Sequence, residues 1–411
     1  MSASAEKKSA IKKESGNGIT VIIFGSVMQL FLGILYIWSV FVEPVHNIFN
    51  WNVDSVKLTA SFMLSFFVIG IIIGGKLVLR IGSQKVVLGG GLCLTFGMLA
   101  TSFLPQNVPW IMYITYGIIG GFGVGSAYNA IIVTAQKWFP QKRGLATGIV
   151  VCAFGLSTVI FAPLITALIA KFEVRNTFLI LGCIFFAATI SFFRFIRLPD
   201  DISSSSSANT AAAALLARRQ YVLTETIKTK QYYLIAFSMA FATAPFFILN
   251  PSFISYAAAR GVPEFGTIIV MMTGAANACG RLVVPVLSDK IGREKAALTI
   301  ILVTSICAAI LTFAHGAVFI AAVLTTAFCF GGLPGLYAVL ASDYFGVKNA
   351  GANYGAVMMG FAFSALVFPV LIGLIQSSTI KFVTLSVMAA FSVILIIILL
   401  SSKRKFEEAN A

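Results

Sequence analysis

Charge is scarce in this chain: Asp, Glu, Lys and Arg make up 10% of its 411 residues, whereas 59% are hydrophobic. Soluble domains carry about a quarter charged residues, so an ordinary globular protein is excluded. Acids are scarcer than bases, 14 against 29, and only two histidines are present. His46 and His315 stand at no metal-ligand spacing. No Ser/His, His/Glu or twin-Asp pair falls within an apolar stretch, so an enzyme is not expected, and neither is a metal or other cofactor. The six cysteines (Cys93, Cys152, Cys183, Cys279, Cys307, Cys329) form no CxxC pair, which points to packing rather than redox or zinc chemistry. The glycine-rich run 117–129 lacks the Lys and the strand-to-helix setting of a phosphate loop, and reads as close helix packing.

What the chain does have is apolar length. Runs long enough to cross a hydrocarbon core of roughly 30 Å recur at 18–41, 58–79, 86–104, 108–136, 144–170, 177–197, 231–256, 266–288, 296–314, 317–342, 350–376 and 380–402. Backbone polar groups in lipid must be satisfied within each run, so these are helices. The expectation is an all-α membrane protein with twelve transmembrane helices. The first run is full length with no small-residue cleavage site, and reads as a retained helix rather than a signal peptide.

The net charge of +15 is a matter of topology. Counted from an inside N-terminus, the inner segments hold 22 of the 29 Lys and Arg. The outer ones hold Lys57, Lys171, Arg175, Arg260 and Lys381, leaving Lys76 and Arg281 within spans. That asymmetry puts both termini in the cytoplasm of a cell-membrane protein and implies no nucleic-acid partner.

The composition divides the chain into a tail (1–17), a six-helix half (18–197), a Ser- and Ala-rich linker (198–230), a second six-helix half (231–402) and a tail (403–411). The halves carry traces of a repeat. Gly75–Lys85 aligns with Pro285–Lys295 at an offset of 210, and Trp138–Arg143 leading to Pro163 aligns with Tyr344–Asn349 leading to Pro369 at about 206. Parallel halves of this kind imply a site between them near the midplane and alternating access by rocking.

The loop Ser288-Asp-Lys-Ile-Gly-Arg-Glu-Lys295 resembles the cytoplasmic motif of the major facilitator superfamily. Its first copy is degenerate, with Leu79 at the Asp position and Arg80 beside it. Asp289, Lys290, Arg293 and Arg80 are therefore candidate gating charges, or simply orientation charges. Within that superfamily the chain looks like the oxalate/formate antiporter family and, more distantly, the monocarboxylate transporters. The resemblance rests on Tyr36-Ile-Trp-Ser with Pro44, Trp138-Phe-Pro-Gln-Lys-Arg-Gly144, Asn277-Ala-Cys-Gly-Arg281 and Asn353-Tyr-Gly355. It implies a monomeric carrier of a small carboxylate in a lipid bilayer.

Arg281 is the most informative residue. A central Arg in a membrane helix costs about 2.5 kcal/mol or more and usually faces a bundle interior or aqueous cavity, either as a structural Arg bonded to helix-end carbonyls or a buried acid or as a contact for an anion. Its planar donors match a carboxylate, which makes it the candidate anion anchor. Asn277, one turn away, offers a further hydrogen bond and stands where the resemblance to monocarboxylate transporters expects an Asp tied to proton coupling. The oxalate antiporters carry a second cation where this chain has Phe361, which favours a monocarboxylate such as lactate, pyruvate or formate over oxalate. H⁺ symport and carboxylate exchange both stay open. Tyr36, Tyr128, Phe154 and Tyr337 are candidate aromatic contacts, with Asn129 a weaker one. Lys76 lies near a span end and can snorkel. Glu43 is either a protonatable gate or a solvated helix end.

Overall fold

With so little charge to solvate, the chain satisfies its backbone almost entirely in helices. The computed structural model describes residues 2–199, 219–250, 253–262, 266–375 and 377–408, and no strand occurs among them. Linker residues 200–218 lie outside the described residues.

Helix α1 (Ser2–Leu32) does not stop where hydropathy suggests. It passes through a 3-10 turn (Gly33–Ile37) into α2 (Trp38–Phe49). The turn sits where the backbone meets a neighbour, since a Cβ on Gly33 would lie 2.2 Å from the Phe154 carbonyl oxygen. A 3-10 turn winds three residues per turn, so it shifts which side chains share a face, and Tyr36 lies within it. Helix α3 (Val53–Ile81) is capped by Asn52, whose side chain accepts from the Asp54 N–H at 2.8 Å. There follow α4 (Ser83–Ser102), a π-helical turn (Tyr113–Gly120) and α5 (Gly121–Trp138). Helix α6 (Arg143–Phe192) holds two crossings hinged at Glu173, whose φ of 63° breaks the helical path inside the expected gap at 171–176.

The second half is preceded by the short α7 (Leu223–Thr226). The Val222 N–H donates to the Glu225 carboxylate at 3.0 Å, which together with nearby Arg219 holds that carboxyl below its usual range. Helix α8 (Lys230–Leu249) ends short of the expected 256. Then come α9 (Phe253–Ala259), α10 (Gly266–Ile291), α11 (Arg293–Leu311), α12 (Gly316–Phe345), α13 (Ala350–Gly373) and α14 (Ser378–Glu408). Ten helical segments among the described residues are long and apolar enough to cross a membrane. Because α6 crosses twice and α10 adds 26 residues of helix, the fold has twelve crossings.

The suspected repeat reappears as conformation. Gly82 and Gly292, 210 residues apart, end α3 and α10 with φ of 83° and 95°, a region that glycine enters without steric cost. The halves meet along two seams, α6 against α10 and α3 against α13. Apolar burial drives little association in lipid, and small residues let backbones touch instead. A Cβ on Gly144 would lie 2.0 Å from the Pro285 carbonyl oxygen, and one on Gly351 would lie 2.8 Å from Gly75 Cα.

Candidate functional site

A cavity of about 260 Å³ opens at the seam between the halves. The 3-10 turn after α1 supplies Tyr36, α2 supplies Ser39, and α6 supplies Gly155 and Thr158. The end of α8 brings Phe246, Phe247 and Asn250, while α12 adds Phe330. Helix α10 contributes Thr273, Gly274, Asn277 and Arg281. Residues 273, 277 and 281 stand four apart on one helical stripe. The volume falls just below the range usual for drug-sized ligands, which suits a small substrate.

Among the described residues that line the cavity, Arg281 is the one charged group, and it is 2% exposed. Its Nε–H donates to Asn277 Oδ1 at 2.8 Å. The guanidinium carbon lies 5.4 Å from the Tyr36 ring centre and 5.6 Å from that of Phe154. Such ring contacts are worth about 0.5–2 kcal/mol and neutralise nothing. Among the described residues no carboxylate pairs with Arg281, and its two Nη groups make no hydrogen bond to protein. Room for the side chain comes from Gly155, where a Cβ would stand 2.7 Å from Arg281 Cδ. The arrangement presents an uncompensated planar cation, oriented by Asn277, to whatever anion enters. Phe246 and Phe330, stacked at 4.0 Å, and Phe247 form an apolar wall of the same chamber.

Tyr36, Asn277 and Arg281 are thus brought together, and Phe154 backs the guanidinium. The other candidates from the sequence do not line the cavity. Tyr128 is buried behind Phe154, at 4.8 Å between ring centres, and against Phe67. Tyr337 is buried with its hydroxyl 2.8 Å from Ser238 Oγ. Phe361 lies behind the apolar wall, 4.9 Å from Phe247 and 6.0 Å from Phe330. Apolar residues surround these helices on every side, so hydropathy cannot say which face turns to the cavity. Spacing could have found Ser39, three residues after Tyr36, and Thr273, four before Asn277. Nothing local marks Phe246, Phe247, Phe330 or Asn250. Glu43 and Lys76 are exposed. No group of three metal-ligating side chains occurs among the described residues.

Eight residues beyond Arg281, about 12 Å along α10, the terminus-bearing end is shut by a polar network. Asp289 accepts the Gly144 and Leu145 N–H groups at 3.1 and 2.9 Å, capping the positive end of α6 across the seam. Arg293 reaches Asp289 at 2.5 Å, Asp343 at 3.2 Å and Ser288 Oγ at 2.7 Å, and Arg143 also pairs with Asp343. The loop motif announced Asp289 and Arg293, but Asp343 and Arg143 were not anticipated. Arg80 and Lys290 are exposed and make no ion pair among the described residues. On the opposite seam Asn129 bridges the halves, donating to the Ile71 and Gly351 carbonyls at 2.7 and 2.8 Å.

The family model for the Major Facilitator Superfamily matches residues 20–369. The chain belongs to that superfamily. It is a membrane transporter, and the solved structures it resembles share its fold. One is the transporter FucP in the outward conformation, with a TM-score of 0.71 at 14% identity, covering 93% of this chain and 98% of that one. Another is the proton:xylose symporter XylE, with a TM-score of 0.69 at 14% identity over 93% and 96%. Among curated proteins, the MFS-type transporter YhjX of Escherichia coli is 25% identical over 83% of this chain and 84% of its own length. The oxalate:formate antiporter of Oxalobacter formigenes is 28% identical over 80% and 78%. Mouse monocarboxylate transporter 1 is 33% identical, over 35% of this chain and 29% of its own.

Proposed function

We propose that this transporter carries a small monocarboxylate of the lactate, pyruvate or formate type through a cell membrane by alternating access, exchanging one carboxylate for another. The observation that carries the reading is Arg281, buried in a cavity between the halves with no carboxylate paired to it among the described residues. A buried charge without a partner costs several kcal/mol, and a carboxylate on the Nη edge offsets that cost with two parallel charge-assisted hydrogen bonds. One cation balances one negative charge. The similarity to an oxalate:formate antiporter and to monocarboxylate transporters supports this class of substrate.

The charge of the empty site also favours exchange. A guanidinium is a permanent cation, so a carrier returning without an anion would move a bare charge through the closed intermediate. Proton symport is the second reading, and it needs an acid that titrates with the substrate. Asn277 holds the position beside Arg281 where such an acid would act most directly, and the exposed Glu43 lies away from the cavity wall. The positive-inside distribution supports cytoplasmic termini, and the carrier works as a monomer.

Charge selectivity tests the reading. In proteoliposomes, unlabelled pyruvate or lactate is expected to inhibit labelled pyruvate uptake at least tenfold more potently than oxalate or malonate. Phe361→Lys, which sets a cation behind the wall of Phe247 and Phe330, is expected to narrow that ratio by about tenfold or reverse it. Potent inhibition of the parent protein by oxalate, at concentrations where lactate and pyruvate do nothing, would replace the monocarboxylate reading with an oxalate:formate type of exchange.

A further inference from the structure

The two seams close differently, and the difference leaves the Asn353-Tyr-Gly355 motif without an explanation in the cavity. On one seam Asp289 caps the first N–H groups of α6. At the positions related by the repeat, the first turn of α13 begins at Ala350 and Gly351, and the residue matching Asp289 is Leu79, which carries no acceptor. The closed contact there still brings backbones together. A Cβ on Gly355 would lie 2.7 Å from Ile72 Cα, and Asn129 holds the Gly351 carbonyl from the other half.

What holds this turn of α13 from behind is the segment just before α8. Asn353 is fully buried, and its amide is spent on that segment, donating to the Tyr221 carbonyl at 3.0 Å and accepting from Thr226 Oγ at 3.0 Å. Asn349 Nδ2 donates to the same Tyr221 carbonyl at 2.8 Å. The Tyr221 N–H donates to the Phe345 carbonyl at 3.0 Å, and the Lys348 N–H donates to Gln220 Oε1 at 2.9 Å. The Tyr221 ring is stacked on Phe406 of α14 at 5.9 Å and meets Phe345 edge-on at 6.0 Å. Along one helical turn, then, Asn353 grips the linker, Tyr354 donates to the Pro334 carbonyl of α12 at 3.1 Å, and Gly355 abuts the opposite half.

We infer that residues 220–226 form a strap that positions the first turn of α13 for closure against α3, taking the place of the carboxylate cap that Leu79 cannot supply. Tyr221 and Asn353 are positioning residues for the gate. They act through α13 and touch no substrate. A strap of this kind holds the first turn of α13 in the conformation that meets α3, because the buried amide of Asn353 keeps both partners only while the segment is docked. The strap and the Asp289 cap are two different solutions to the same closure, one on each seam.

The test is a distance measurement that needs no substrate, so its outcome is separate from that of the carboxylate assignment. Lys85→Cys on α4 and Lys348→Cys before α13, both exposed positions, carry spin labels in a cysteine-free full-length chain in lipid nanodiscs. Tyr221→Ala and Asn353→Ala are each expected to raise the long-distance fraction at least threefold, while Tyr221→Phe, which keeps the ring and the backbone bonds, superimposes on the parent. Should Asn353→Ala fail to yield monodisperse protein, Thr226→Val deletes one bond of the same contact and is expected to raise that fraction about twofold. Distributions unchanged by Tyr221→Ala and by the Asn353 or Thr226 variant, or shifted equally by Tyr221→Phe, would overturn the strap.

Discussion

Arg281→Ala is expected to reduce carboxylate transport at least thirtyfold, with protein level and membrane insertion unchanged. Truncating one partner of a buried, hydrogen-bonded charge pair costs about 2–5 kcal/mol, and each 1.4 kcal/mol is about a tenfold effect. Insertion is expected to survive because the substitution removes a charge that is itself expensive in the membrane. Arg281→Lys retains the charge and loses the planar pair of donors, along with the Nε–H bond that ties the guanidinium to Asn277 Oδ1. It is expected to recover less than a tenth of the parent rate. Measured uptake of Arg281→Ala above a quarter of the parent rate would remove Arg281 from the binding site.

Gly144→Val is expected to have an effect of similar size by another route. The first Cβ atom would lie 2.0 Å from the Pro285 carbonyl oxygen and 2.8 Å from the Asp289 carboxyl carbon. Both neighbours are fixed, one by the α10 backbone and the other by the hydrogen bonds that cap α6. Neither can yield by a rotamer change, so the seam must open. The expected result is a stable protein trapped open at the terminus-bearing end, with exchange below about 5% of the parent and substrate binding retained in detergent. Parent-level exchange by Gly144→Val would show that the α6–α10 contact is dispensable for closure.

Much of the fold is written in the sequence because lipid removes alternatives. A run of about 20 apolar residues has few options other than a helix, and the repeated loop with Gly82 and Gly292 marked the ends of corresponding helices. The discrepancies arise where helices bend without leaving the membrane. The 3-10 turn at Gly33 and the π-helical turn at Tyr113 leave hydropathy unchanged, and so does the early end of α8 at Leu249. The site was legible where it is expensive. Arg281 and Asn277 stand out against an apolar background, and Tyr36 belongs to a recognisable motif. The apolar wall was not legible, because Phe246, Phe247 and Phe330 are three among 37 phenylalanines and only tertiary packing selects them. Tyr128 and Tyr337 illustrate the converse. Each is a polar aromatic on a helix of the right bundle, yet each faces a packed interior, where Phe154 and Ser238 are their neighbours. The polar network at the seam was half visible, since Asp289 and Arg293 belong to a loop motif while their partners Arg143 and Asp343 come from the starts and ends of distant helices.

The most direct test of a monocarboxylate exchanger built around Arg281 is labelled pyruvate uptake into proteoliposomes of the purified chain, with unlabelled pyruvate, lactate, formate or oxalate inside, or no substrate. Saturable uptake that rises at least fivefold with an internal monocarboxylate, and is insensitive to an imposed pH gradient when the interior is empty, is the predicted result. Uptake no greater than in protein-free liposomes under every internal condition, or uptake driven by the pH gradient alone without an internal acid, would contradict it.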